Sequence, residues 1–187
     1  MKKLNVLLMS AVLAAAASQA QADPNDNAVY FQAPAIAGSG CPAGTSDYAI
    51  TPDGQTLTIL FDEYMASPGM ATCNIAVPVH VPNGFQVSLM TADYRGFVQG
   101  RAELSRSYFF AGERSPRKRT RFNSRTGEEY LERDNLLTTS NSFSKCGADV
   151  NLRINSRIRT YNRSSLISVD SLDLNNGMVF HLQYQPC

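Results

Sequence analysis

Residues 83–112 read NGFQVSLMTADYRGFVQGRAELSRSYFFAG, and the period of this stretch decides the fold. Pro82-Asn83-Gly84 is a turn signal, after which Phe85, Val87 and Leu89 alternate with Gln86 and Ser88. A period of two belongs to a strand with one buried face. Tyr94, Gly96 and Val98 resume it after Thr91-Ala92-Asp93, and Gly96 marks a bulge or a close backbone approach. A second β-rich run, Ser105 to Ala111, closes at Gly112. The stretch is expected to form the centre of an antiparallel sheet.

Toward the N-terminus the same logic gives more strands. Ile75, Val77, Val79 and Val81 alternate strictly, with Pro78 between them arguing for an edge strand or a bulge. Thr51-Pro52-Asp53-Gly54 is a tight turn between a strand near 46–50 and a stronger one at 55–62, where Leu57, Ile59 and Phe61 share a face. Residues 64–72 read as a loop, and 28–37 as a first strand. Toward the C-terminus, Leu152, Ile154 and Ile158 alternate with Arg153, Asn155, Arg157 and Arg159. Asn176-Gly177 joins two further β-runs as a hairpin. No segment has a sustained helical period. The expected fold is all-β, an antiparallel β-sandwich or related barrel.

Lys2 and Lys3, an apolar run from Leu4 to Ala17, and Ala20-Gln21-Ala22 make residues 1–22 a signal peptide cleaved after Ala22. The run is too short for a comfortable membrane span. The expectation is a secreted or periplasmic protein, with residues 23–187 as one domain and 23–40 as its N-terminal arm or first strand. The whole chain carries a formal charge of +1, and losing two lysines leaves one more acid than base.

Cys41, Cys73, Cys146 and Cys187 are an even set in an exported chain, which reads as two disulfides. No C-x-x-C spacing exists and only His80 and His181 are present, a poor match to structural zinc. The turn at Thr51–Gly54 brings Cys41 to the end of the hairpin from which Cys73 opens the next strand, so these two are paired. That leaves Cys146 with Cys187, a pair on which the topology is silent.

Several segments together resemble a known family: Gly38-Ser39-Gly40-Cys41-Pro42, Thr51-Pro52-Asp53-Gly54-Gln55, Pro82-Asn83-Gly84-Phe85, Ala92-Asp93-Tyr94-Arg95-Gly96, Tyr108-Phe109-Phe110-Ala111-Gly112, Cys146-Gly147 and a terminal cysteine. In order, they are similar to the secreted domain of unknown function called DUF4360, found in fungi and bacteria. The resemblance implies an exported, single-domain, cysteine-containing protein, and brings no catalytic or binding residues with it. The cluster Arg117–Arg121 stands outside the family's pattern.

Catalytic motifs are weak. Ser142-Phe143-Ser144-Lys145 fits S-x-x-K but lacks the companion motifs of that chemistry. Asp62-Glu63 is half of a carboxylate pair at best, and reads better as a solvated strand end. Asp170, Asp173 and Asn175 do not have EF-hand spacing. His80 and His181 fall on polar strand faces, as ordinary exposed side chains. Tyr64, Tyr94, Tyr108, Tyr130 and Tyr161 are either sugar-stacking platforms or sheet packing. No metal or cofactor is expected.

Charge is the informative feature. Residues 23–94 hold seven acids and no Lys or Arg, whereas 95–125 hold nine bases and two acids. Such blocks pair across a sheet as readily as they bind a partner. Arg117, Arg119 and Arg121 are spaced by two, as are Arg157 and Arg159 with Arg153 on the same side. Placed in one sheet, the six would form a possible anion-binding face. Their partner would be an anionic polysaccharide or other envelope polymer, with nucleic acid the less expected ligand. The reading is an exported, non-catalytic binding or envelope-associated protein. The alternative is a secreted hydrolase whose active site is scattered along the sequence.

Overall fold

The computed structural model describes residues 28–113, 116–136, 143–169 and 178–187. The signal-peptide segment with its cleavage site, Ser142, the Asp170–Asn175 loop and the turn at Asn176-Gly177 lie outside them.

The elements are β1 (Tyr30–Phe31), β2 (Ala35–Ala37), β3 (Ser46–Ile50), β4 (Thr56–Phe61), β5 (Met65–Ala66), β6 (Met70–His80), β7 (Phe85–Phe110), β8 (Lys118–Asn135), β9 (Val150–Thr160), β10 (Leu166–Ser168) and β11 (Met178–Pro186). All pairings are antiparallel within one sheet, in the order β1-β6-β9-β7-β11-β4-β3. Both disulfides are present, Cys41–Cys73 and Cys146–Cys187. The all-β, doubly disulfide-bonded architecture agrees with the sequence, in its barrel-like form.

The stretch read first is a single strand. Thr91-Ala92-Asp93 does not interrupt it, because β11 and β8 hydrogen-bond to these residues from either side. On a straight strand, Tyr94 and Tyr108 would stand roughly 45 Å apart. Their ring centroids are 6.5 Å apart, so β7 folds back and rolls the sheet on itself. The bend lies at Gly100, whose φ is 79° and where the β7–β8 register shifts. There Arg125, Thr126 and Gly127 of β8 stand opposite Gln99 alone. A bulge of this kind bends a strand and adds twist. Gly96 is a close approach rather than the bulge, since a β-carbon there would sit 2.1 Å from the Ser168 carbonyl oxygen of β10.

The rolled sheet encloses a core in which Leu57, Ile59, Phe61, Ile75, Val77, Val79, Leu104, Ile154 and Ile158 are all buried. Each such side chain contributes about 1.5–3 kcal/mol through burial. Three expectations need correction. Pro78 is not on an edge strand, because β6 has β9 on one side and β1 and β2 on the other. Its carbonyl accepts from Gln32 N and its donorless nitrogen faces the same side, at the irregularity where the partner of β6 changes from β1 to β2 and the register shifts by one residue, as the bulge alternative expects. Residues 28–37 form two short strands, and 64–72 contain β5 and the start of β6.

Candidate anion-binding face

Beyond the bend, even-numbered residues of β7 (Ala102, Leu104, Tyr108, Phe110) point into the core. Odd-numbered ones therefore face outward. β8 and β9 flank this half of β7 on opposite edges. Their registers place Glu103 opposite both Arg121 and Arg159, and Ser105 opposite both Arg119 and Arg157. Phe109 stands opposite Arg153, and Arg117 is exposed just ahead of β8. Arg119 and Arg121 on one side and Arg153, Arg157 and Arg159 on the other thus share one sheet and one outward face, separated by a single strand. Across that strand, the flanking columns are two interstrand spacings apart, roughly 9.5 Å.

The rungs differ in character. In the first, Glu103 Oε2 accepts from Tyr161 Oη at 2.9 Å, Arg121 Nε at 3.3 Å and Arg159 Nη2 at 3.3 Å. The Arg159 guanidinium also lies 4.6 Å over the Tyr161 ring. Glu103 is only 1% exposed although it faces outward, because these side chains cover it. Burial pushes its carboxyl up, but the bonds from Tyr161, Arg121 and Arg159 outweigh this and hold it below the usual glutamate range. In the second rung no acid stands opposite. Among the described residues, Arg117, Arg119, Arg153 and Arg157 form no ion pair, and the ion pairs of Arg121 and Arg159 are with Glu103. The acidic residues Asp47, Asp53, Asp62 and Glu63 are exposed on or beside β3 and β4, at the other end of the strand order. None of them forms an ion pair with this face.

Other chemistry-bearing groups were read differently by the sequence. Arg106, from the middle of the basic block, points inward at 3% exposure. It donates to Asp134 through Nε at 2.7 Å and Nη2 at 2.8 Å, and to Thr120 Oγ1 at 2.9 Å. Thr120 donates to Glu132, and Tyr108 donates to Asp134 at 2.6 Å. Glu132 and Asp134 converge, but on an arginine that neutralises them, with Lys118 Nζ 3.7 Å from Asp134. Desolvation raises the hydroxyl pKa values of Tyr64, Tyr94 and Tyr108, whose rings pack in the core rather than serve as platforms. Tyr161 is the exposed tyrosine on the arginine face, at 44%.

His80 is not an ordinary exposed side chain. It is half-buried against Tyr30, with Nδ1 2.9 Å from Asp149. His181 Nδ1 is likewise engaged, with Thr56 Oγ1 at 3.2 Å. Among the described residues no Ser–His pair is hydrogen-bonded. A groove of about 590 Å³ lies between Tyr30, Ile50, Pro52 and Gly54, and one of about 400 Å³ by Phe110, Lys145 and Asp149. Neither touches the arginine face. Among the described residues no helix is long and apolar enough to cross a membrane.

Fold and site together define an all-β, disulfide-bonded protein with a basic outer sheet face. Its two disulfides fit an oxidising compartment outside the cytosol. The chain belongs to the DUF4360 family, a domain of unknown function whose model matches residues 28–187. A relative from Arthroderma benhamiae, an uncharacterized secreted protein, is 30% identical over 181 residues, covering 88% of this chain and 74% of the relative. A solved structure, TmCBM61 in complex with beta-1,4-galactotriose, aligns with 83% of this chain and 91% of its own at 8% identity and a TM-score of 0.36.

Proposed function

We propose that this is an exported, non-catalytic binding protein that holds an acidic polysaccharide on the outward face of β8, β7 and β9. One observation carries the reading: Arg119 and Arg157 flank Ser105 in register, with no acid opposite them. Arginine forks recognise carboxylate and sulfate in a bidentate manner, and their weak hydration suits a surface that must shed water to bind. Arg117 and Arg153 extend the positive surface along the strands, so a chain of anionic groups meets several forks at once.

Retention of residues 23–187 on a sulfated-polysaccharide column over a salt gradient tests this. The wild-type protein is expected to elute later than an Arg119→Ser/Arg157→Ser variant, with the difference shrinking as salt screens the contact. Elution at the same salt concentration would remove the face as a binding site.

A further inference from the structure

The first rung of the face carries two buried atoms that make no hydrogen bond. Glu103 Oε1 faces Arg159 Nη2 in an ion pair but accepts no hydrogen bond and keeps lone pairs free, and Arg159 Nε has no acceptor, although Glu103 is 1% exposed. Such atoms are uncommon in a folded protein, because leaving one unsatisfied costs its full desolvation. Here an acceptor and a donor lie in one cluster, joined by the Glu103–Arg159 ion pair at 3.2 Å. The groups bonded to Glu103 from the solvent side are Arg121, with its side chain 73% exposed, and Tyr161, at 44%. Both are surface side chains, so a rotamer change in either would open the pair to a ligand.

Resting on the anion-binding reading of this face, we infer that Glu103 is its specificity-determining residue, selecting hydroxyl-bearing acidic polysaccharides over polyphosphates. A sugar hydroxyl is donor and acceptor in one atom, so it can donate to Glu103 Oε1 while accepting from Arg159 Nε. A phosphate oxygen only accepts; it satisfies the arginine and is repelled by the carboxylate. Glu103 also directs Arg121 and Arg159 inward, which leaves Arg119 and Arg157, one rung or roughly 7 Å along the strands, as the seat for the ligand's charge. A polymer with one carboxylate on every second sugar ring can present hydroxyls to Glu103 and a charge to that seat. A polyphosphate, charged at every unit, places an anion over Glu103. Tyr161 and the exposed Met70, opposite Arg159 on β6, supply apolar contact for a sugar ring.

The experiment compares dissociation constants, by calorimetry at fixed ionic strength, for an alternating uronate polysaccharide and for linear polyphosphate. The wild type, Glu103→Gln and Arg119→Ser/Arg157→Ser are measured. Glu103→Gln is expected to tighten polyphosphate about threefold, within the range for one charge contact at a protein surface. The polysaccharide is expected to gain nothing. Equal tightening of both would mean that Glu103 only dilutes charge, which overturns this inference and leaves the basic face standing. An Arg119→Ser/Arg157→Ser protein that binds both polymers as well as the wild type would bring down the underlying reading instead. Should Glu103→Gln fail to fold, Glu103→Asp keeps the charge and shortens its reach. It is then expected to weaken the polysaccharide alone, and an unchanged ratio of the two affinities overturns the inference.

Discussion

Arg106 shows how far one residue's role depends on the direction in which it points. Its neighbours on β7, Ser105 and Ser107, face outward, whereas Arg106 enters the core and meets Asp134 in a two-pronged ion pair. A buried pair of this kind offers little net stability over apolar replacements, but removing one partner strands a charge. Asp134→Ala should therefore cost about 3–5 kcal/mol in urea unfolding, more than an Arg106→Leu/Asp134→Leu pair. Burial pushes the Asp134 carboxyl up, yet the bonds from Arg106 and Tyr108 with the charges of Arg106 and Lys118 prevail, so its pKa is depressed. A depressed folded-state pKa stabilises the fold at pH values above the unfolded pKa of about 3.9, and that stabilisation fades as pH falls through the folded value. Thermal melts between neutral pH and pH 2 should show the wild type losing stability in acid. Asp134→Asn should start lower and fall less steeply over the same interval.

The bend in β7 organises the elements. Gly100 adopts φ 79°, and a β-carbon there would sit 2.3 Å from Ser165 Oγ. That same Ser165 oxygen accepts from Arg101 N at 2.9 Å and ties the segment ahead of β10 to the corner. Gly100→Ala combines a left-handed backbone with a clash, and should destabilise by about 1–3 kcal/mol or more. The midpoint of denaturant unfolding measures it, and a cost below the uncertainty of the fit would mean that the corner is not strained. The bend also sets which arginines share a face. Arg133, on the part of β8 before Asn135, pairs with Asp93 at 2.6 Å and takes no part in the cluster beyond Gly100.

For the molecule as a whole, the disulfides join segments that are distant in sequence. Cys146–Cys187 joins the segment ahead of β9 to the residue after β11, strands that flank the two halves of β7. Cys41–Cys73 ties the chain between β2 and β3 to β6. Replacing Cys146 and Cys187 together by Ser should lower stability by about 2–5 kcal/mol, read from guanidinium unfolding under non-reducing conditions. An unchanged midpoint would show that β11 is held by its two neighbouring strands alone. Because the arginine face rests on β8, β7 and β9, its anion retention should outlast this substitution at temperatures where the protein remains folded.

Sequence alone determined what local periodicity and compartment chemistry can determine. Alternation in 75–81 and 152–158 fixed strands and their buried faces, because a side-chain period of two leaves little freedom once one face is apolar. The spacing of Arg119 and Arg121 fixed their common side on β8, with Arg117 left ahead of the strand, and the even cysteine count fixed the number of bridges. Register and bending were decided only in three dimensions. Nothing near Arg119 says that Arg157 will lie across Ser105 from it, because that pairing depends on where β7 shifts register at Gly100. Arg106 shares the inward-facing parity of Leu104 and Tyr108, and the rolling of the sheet brings it to Asp134 inside rather than leaving it on the basic surface. Glu103, an acid inside a basic block, gave no sign in sequence of holding two arginines and a tyrosine. Its three partners come from β8, β9 and the residue after β9, and cross-strand neighbours are a property of the sheet rather than of any segment.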